Sequence, residues 1–132
     1  MKDMTETEIP EVEIFLADTY ALIELVGGNP DYKKYLGHIL LTTKFNIAEL
    51  YYSLLKDYGK ETADKYLILY SKFVVPISFS CIRAAMEFKL ANKKEKLSYV
   101  DCVGYKLAEE LGIKFLTSDG KFETKKDVEF VK

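Results

Sequence analysis

Four acidic residues of this 132-residue chain fall where chemistry is possible: Asp18, Glu49, Asp101 and Asp119, spaced 31, 52 and 18 residues apart. Each also has an ordinary structural explanation. Asp18 follows an apolar run and opens a helical pattern, the place of an N-cap whose carboxylate accepts a backbone N–H. Asp119 sits in Ser118-Asp119-Gly120, a turn signal. Asp101 completes Ser98-x-x-Asp101 ahead of an apolar helix, the pattern of a capping box. Glu49 projects away from the apolar face of its helix, towards solvent. Singly these readings are sufficient; the chemistry lies in convergence. Two carboxylates ~4 Å apart repel by about 4 kcal/mol at an effective dielectric near 20, so a cluster persists only when protons or cations compensate it. Oxygen-rich sites of this kind suit Mg²⁺ or Mn²⁺. One such ion activates water and a second offsets charge on a leaving oxygen, which is the equipment of phosphodiester hydrolysis.

The elements that must position these acids follow from periodicity. Residues 12–17, 39–43, 73–77 and 113–117 read as strands, and 128–131 as a last short one. Helical patterns cover 19–26, 45–58, 61–72, 80–93 and 98–111, with a short helix from Asn29-Pro30 through Tyr35. Pro76 weakens the end of the third strand, since proline lacks the ladder N–H. Within 45–58, Ile47, Leu50, Tyr51, Leu54 and Tyr58 share one face. Strands separated by helices predict an α/β sandwich, a parallel sheet covered on both faces. Ligands of such sheets bind outside the carboxyl ends of the strands. If the first and fourth strands are neighbours, Asp18, Asp101 and Asp119 meet at one edge, and Glu49 reaches that edge from the helix after the second strand.

Composition narrows the classes further. The chain is 48% hydrophobic and 30% charged, enough for one folded domain with a core. Its net charge of −2 argues at first against a nucleic-acid partner. The charge is uneven, however: residues 1–13 carry five acids against Lys2, a net of −4, which leaves +2 on the remainder. Those residues read as an acidic leader open to disorder, with the folded domain over 14–132. Setting the four candidate acids aside raises the remainder to +6, enough for a phosphate-binding surface. Lysines cluster at Lys33-Lys34, at Lys93-Lys94 with Lys96, and at Lys121 with Lys125-Lys126. No apolar run approaches the ~18 residues of a membrane helix, and the acidic N-terminus is unlike a signal peptide. Cys81 and Cys102 form no zinc pattern and read as buried free thiols. These features favour a cytoplasmic chain. The single histidine, His38, precedes an apolar run and reads as a boundary residue, so triad chemistry has no base.

The four acids in order, with their contexts, resemble the motifs of PIN-domain nucleases. Leu16-Ala17-Asp18-Thr19-Tyr20-Ala21-Leu22-Ile23 is similar to the opening strand–Asp motif, and Asn46-Ile47-Ala48-Glu49-Leu50 to the helical Glu motif. Leu97-Ser98-Tyr99-Val100-Asp101 with Ala108 resembles the third acidic motif. Phe115-Leu116-Thr117-Ser118-Asp119-Gly120-Lys121-Phe122 resembles the closing L-T-x-D-x-x-F. The resemblance spans nearly everything after the leader, which is itself a departure, because the first motif usually begins nearer the N-terminus. It implies a three-layer α/β/α sandwich with a central, mainly parallel sheet and a Mg²⁺- or Mn²⁺-dependent ribonuclease using one or two ions. Asp18, Glu49, Asp101 and Asp119 are then the metal-binding and catalytic acids, and Thr117 supports the last of them from behind. Most small stand-alone members are VapC-type toxins of type II toxin–antitoxin pairs, which implies a homodimer silenced by a cognate antitoxin. Lys94, Lys96 and Lys121 flank the motifs as candidate RNA phosphate contacts. Tyr20, Tyr52 and Tyr99 are candidates for stacking on unpaired bases, with core packing or groove lining as the competing role. An RNA-processing nuclease without an antitoxin and a catalytically silent binding module of the same fold are the rival expectations. Receiver domains, which also gather acids at strand ends, pair adjacent acids early and need a later lysine after a strand, and this chain lacks that layout.

Overall fold

A computed structural model describes residues 11–132, so most of the acidic leader lies outside the described residues. Four strands form the sheet: β1 (Ile14–Ala17), β2 (Ile39–Leu41), β3 (Lys114–Thr117) and β4 (Val128–Phe130). All three pairings are parallel and the order is β2-β1-β3-β4. Five α-helices connect and cover them: α1 (Thr19–Val26), α2 (Lys44–Tyr58), α3 (Lys60–Ser71), α4 (Phe79–Ala91) and α5 (Tyr99–Leu111). Short 3₁₀ segments occupy Pro30–Gly37, Lys93–Glu95 and Gly120–Phe122. The expected α/β/α architecture with a parallel sheet is the one observed. No helix of the described residues is long and apolar enough to cross a membrane.

The strands alternate their side chains between two cores, as a pleated sheet buried on both faces requires. Phe15, Ala17 and Leu116 pack with Leu22, Leu50 and Leu54 of α1 and α2, while Leu16 and Phe115 pack with Cys81, Cys102, Val103 and Leu107 of α4 and α5. Both cysteines are buried free thiols, as expected. Gly104 lets α5 come close to the sheet: a Cβ there would stand 3.0 Å from the Phe115 ring and 3.4 Å from Leu16. That close approach sets the depth at which the first turn of α5 meets the strand ends. His38 is the boundary residue expected, its Nδ1 accepting the Glu13 N–H at 3.0 Å and its ring set edge-on to Phe15.

Two expectations need correction. Residues 73–77 do not form a strand; they contribute one parallel bridge, Thr42 to Val74. The Thr42 N–H donates to the Phe73 carbonyl at 3.0 Å and the Val75 N–H to the Thr42 carbonyl at 2.9 Å. Pairing stops there because β2 ends as Thr43 caps α2, and Pro76 has no N–H to extend it. Tyr58, placed on the buried face of its helix by periodicity, is 56% exposed. It lies in the last turn before Gly59, where the chain turns away from the core into α3.

Strand order decides where a ligand belongs. The chain leaves β1 for β2 on one side and later returns to β3 on the other, so the sheet switches direction between β1 and β3. A crevice opens at the carboxyl ends of strands flanking such a switch. Asp18 directly follows the first of these strands, and Asp119 lies two residues past the end of the second.

Candidate active site

Asp18 is fully buried at the base of the crevice. It caps α1, with its Oδ1 accepting the Ala21 N–H at 2.8 Å, so the structural reading of this residue holds. Its backbone N–H extends the ladder to the Leu116 carbonyl at 3.1 Å, which ties it to β3. Its other oxygen accepts from the Thr117 hydroxyl. Burial drives the Asp18 pKa up to about 7; the bonds from Thr117 and Ala21 oppose that rise, and the nearby charges of Asp101 and Asp119 add to it. Thr117 thus stands behind Asp18. Its oxygen also accepts the Asp119 N–H at 3.0 Å, so one buried hydroxyl fixes Asp18 and the loop bearing Asp119 together.

Glu49, Asp101 and Asp119 line one open cavity of about 620 Å³, with Asp18 beneath it. Asp101 stands in the first turn of α5, where its N–H donates to the capping Ser98 hydroxyl at 3.0 Å. Its pKa is pushed up to about 6, first by burial and then by Asp119 and Glu49, against the opposing effects of Ser98 and Lys121. Asp119 accepts the Lys121 N–H at 2.9 Å, the turn role expected of it, while half exposed to the cavity. Glu49 is exposed, as periodicity predicts, but the solvent it faces is that of the cavity.

Three polar residues with no role assigned from sequence hold Glu49 in place. The Thr19 hydroxyl donates to Glu49 Oε1 at 2.5 Å, and Asn46 Nδ2 donates to Thr19 Oγ1 at 3.1 Å. The Thr43 hydroxyl donates in turn to Asn46 Oδ1 at 2.7 Å. Asn46 is only 1% exposed. The signal was in the sequence: a short amide on the buried side of a helix must have partners, and it lies one turn before Glu49.

The candidate cations separate into two groups. Lys96 and Lys121 line the cavity, and the Lys121 ammonium donates to the Lys96 carbonyl at 3.1 Å. Lys96 has a left-handed backbone, φ 55°, which that bond helps to hold. Lys94 is exposed on the 3₁₀ turn Lys93–Glu95 and is not part of the lining. Tyr20 and Tyr52 line the cavity, whereas Tyr99 lies outside it beneath the Lys89 ammonium, 4.6 Å from the ring centroid.

Among the described residues, no three His, Cys, Asp or Glu side chains are gathered tightly enough to enclose an ion. The donor set still fits a hard divalent cation. Its acids offer carboxylate oxygens, and the ionisation of Asp18 and Asp101 is opposed by burial and by neighbouring carboxylates. Mg²⁺ is commonly held by one or two carboxylates while keeping several waters, so an open site serves it better than a cage.

Comparisons with known proteins agree with this fold. Among solved structures, VapC20 of Mycobacterium tuberculosis, described as a toxin that cleaves the sarcin–ricin loop, superposes with a TM-score of 0.75 at 19% identity, over 91% of this chain and 100% of that one. A toxin–antitoxin complex from Klebsiella pneumoniae gives 0.70 at 18% identity, over 87% and 95%. VapBC2 of Rickettsia felis, bound to a DNA fragment from its promoter, gives 0.69 at 16% identity, over 89% and 97%. No curated protein sequence matches the chain. At such identities the likeness is one of fold, but the sequence profile of the PIN domain matches residues 15–128, and with that match over most of its length the chain belongs to the PIN domain family.

Proposed function

We propose that this chain is a Mg²⁺- or Mn²⁺-dependent ribonuclease that hydrolyses RNA phosphodiester bonds in the cytoplasm. We further propose that it is the toxin of a type II toxin–antitoxin pair, with a second copy of itself and a cognate antitoxin as protein partners. The observation that carries the first reading is the set of three carboxylates lining one open cavity above a fourth, buried one at the β1/β3 switch. Supporting the toxin reading are the family and the likeness to VapC20 and to the two toxin–antitoxin complexes.

Asp18, Glu49, Asp101 and Asp119 are the residues that would hold the cation, with Thr117 orienting Asp18 and the loop of Asp119. When bound, a divalent ion supplies charge neutralisation at the phosphate and acidifies a water. The protein's own part is positioning. Lys96 and Lys121 set two positive charges at the mouth of the cavity, where they attract phosphate oxygens. Tyr20 and Tyr52 present ring faces on which unpaired bases stack. Burial and the neighbouring acids raise the Asp101 pKa in the metal-free chain, so a bound cation would favour its ionised form.

The test is cleavage of RNA by the purified chain with Mg²⁺, with Mn²⁺ and with a chelator, alongside Asp101→Asn. Cleavage leaving 5′-phosphate and 3′-hydroxyl ends, lost with chelator and in the variant, is expected. Metal-independent cleavage, or full activity of Asp101→Asn, overturns the mechanism. A small reading frame beside the gene whose product abolishes cleavage separates the toxin from a nuclease of RNA processing.

A further inference from the structure

Tyr32 carries the one side-chain polar atom that is buried without a hydrogen-bond partner among the described residues. The residue is 1% exposed, and a polar group sealed from water in that state is costly. Nothing in its turn of the chain forbids a partner: Tyr35, one turn further along the same 3₁₀ segment, donates to Glu129 Oε2 at 2.6 Å. Tyr105, in the other core, donates to the Lys126 carbonyl at 2.8 Å. An orphan of this kind needs a reason, and a functional state in which it is paired is one.

Its surroundings narrow the choice of partner. The ring belongs to the core of Ala17, Leu22 and Leu116, residues that lead into Asp18 and Thr117. Burial pushes the phenol's pKa up to about 12; Ser118 opposes that rise, and the charges of Asp18 and Glu24 add to it. Two of these three neighbours are engaged. Asp18 accepts from Ala21 and Thr117, and Glu24 accepts from Asn29 at 2.6 Å. Ser118 is half-buried, between the bonded side chains of Thr117 and Asp119, and among the described residues its own hydroxyl makes no hydrogen bond. Two hydroxyls without partners thus stand near each other at the root of the loop that carries Asp119.

We propose that Tyr32 is a positioning residue for Asp119, acting through Ser118: its hydroxyl is unpaired in the metal-free chain and donates to Ser118 Oγ when a divalent cation holds Asp119 in towards Asp18 and Asp101. The inference rests on the metal-dependent reading and adds to it a residue outside the four acids and Thr117. Electrostatics supply the difference between the two states. Without a cation the Asp119 charge opposes those of Asp18 and Asp101, which biases its loop outward. A cation among the three offsets that repulsion. The loop has room to respond, since it borders an open cleft of about 400 Å³ lined by Tyr20, Ser118, Asp119, Gly120 and Lys121. A bond made in only one state favours that state, so the orphaned hydroxyl serves cation binding rather than the stability of the empty fold.

Calorimetric titration of Mn²⁺ into the full chain, paired with urea unfolding in chelator, tests this. Tyr32→Phe deletes one oxygen, and the metal-free variant should unfold at a higher urea concentration than wild type, because an unpaired buried hydroxyl has gone. Mn²⁺ binding should weaken about 10-fold, the lower end of the loss on removing a group that supports a metal ligand. Ser118→Ala should weaken it by a similar factor, and the double variant should bind no worse than either single one, as partners in one bond require. A tyrosine that only fills the core would give the reverse, lower stability and unchanged Mn²⁺ affinity. Either of those results overturns the proposal, and so does a double variant in which the two losses multiply. If wild type binds no Mn²⁺, the metal-dependent reading falls and this inference with it. If wild type binds and Tyr32→Phe binds equally well, the inference alone falls.

Discussion

Asp18 and Glu49 serve the same cavity but are held in opposite ways. Asp18 is sealed beneath the strand ends, with its carboxylate bonded by a backbone N–H and a buried hydroxyl. Glu49 stands in solvent at the end of a relay of three uncharged polar side chains. Burial makes the Asp18 charge costly, and its raised pKa records that cost. Exposure spares Glu49 the cost but leaves it reliant on neighbours for position. On the proposed reading, the buried acid supplies electrostatic demand for a cation and the exposed one supplies adjustable reach.

The largest effect expected from breaking that contrast is at Asp18. Asp18→Asn should lower RNA cleavage by more than about 100-fold, beyond the loss usual for groups that only support a ligand. It should also change the pH dependence of folding. A folded Asp18 keeps its proton up to about pH 7, whereas an unfolded aspartate loses it near 4. The stability this group gives to the metal-free chain is therefore complete below pH 4 and is lost as the pH rises through 7. Thermal melts of the metal-free wild type should fall across that window, and those of Asp18→Asn should fall less. Mn²⁺ should raise the wild-type melting temperature more at pH 8 than at pH 5, because it binds the deprotonated form. A wild-type melting temperature that is flat with pH would refute the buried-charge account.

Thr117→Val comes next, since it removes the hydroxyl shared by Asp18 and the Asp119 backbone. Cleavage should fall about 10- to 100-fold, and stability by about 1–3 kcal/mol for the unpaired buried groups. Thr117→Ser should recover most of both, as read by urea unfolding and single-turnover cleavage. On the exposed side, Asn46→Ala should cost about 10-fold in cleavage by loosening Thr19 and Glu49. It should leave the pH dependence of the melts as in wild type, because Asp18 is untouched. A change in that dependence would show the two sides to be coupled. The smallest effect is expected from Lys121→Ala: a few-fold rise in KM with kcat nearly unchanged, and a shallower salt dependence of RNA binding.

Much of this was legible in the chain itself. The strands that matter, 14–17 and 114–117, are short apolar runs closed by Asp and by Thr-Ser-Asp, and each acid also caps or turns the segment it opens. Local patterns of this kind survive folding because they are local. Residues 73–77 have a strand-like pattern yet form no strand for the complementary reason: strand formation depends on a partner, and β2 ends at the Thr43 cap. Lys94 and Lys96 look alike in sequence, yet the left-handed turn at Lys96 brings only the latter into the cavity.

Sequence alone determined the four acids, their order and the α/β alternation, since residue type and periodicity carry that information without reference to distant neighbours. Tertiary structure alone decided that β1 and β3 are adjacent. It also decided that Asp18 is sealed while Glu49 is exposed, and that Thr43, Asn46 and Thr19 form a line to Glu49. Each of these depends on which segments pack together, and burial, which sets the cost of a charge, is a property of the packed chain.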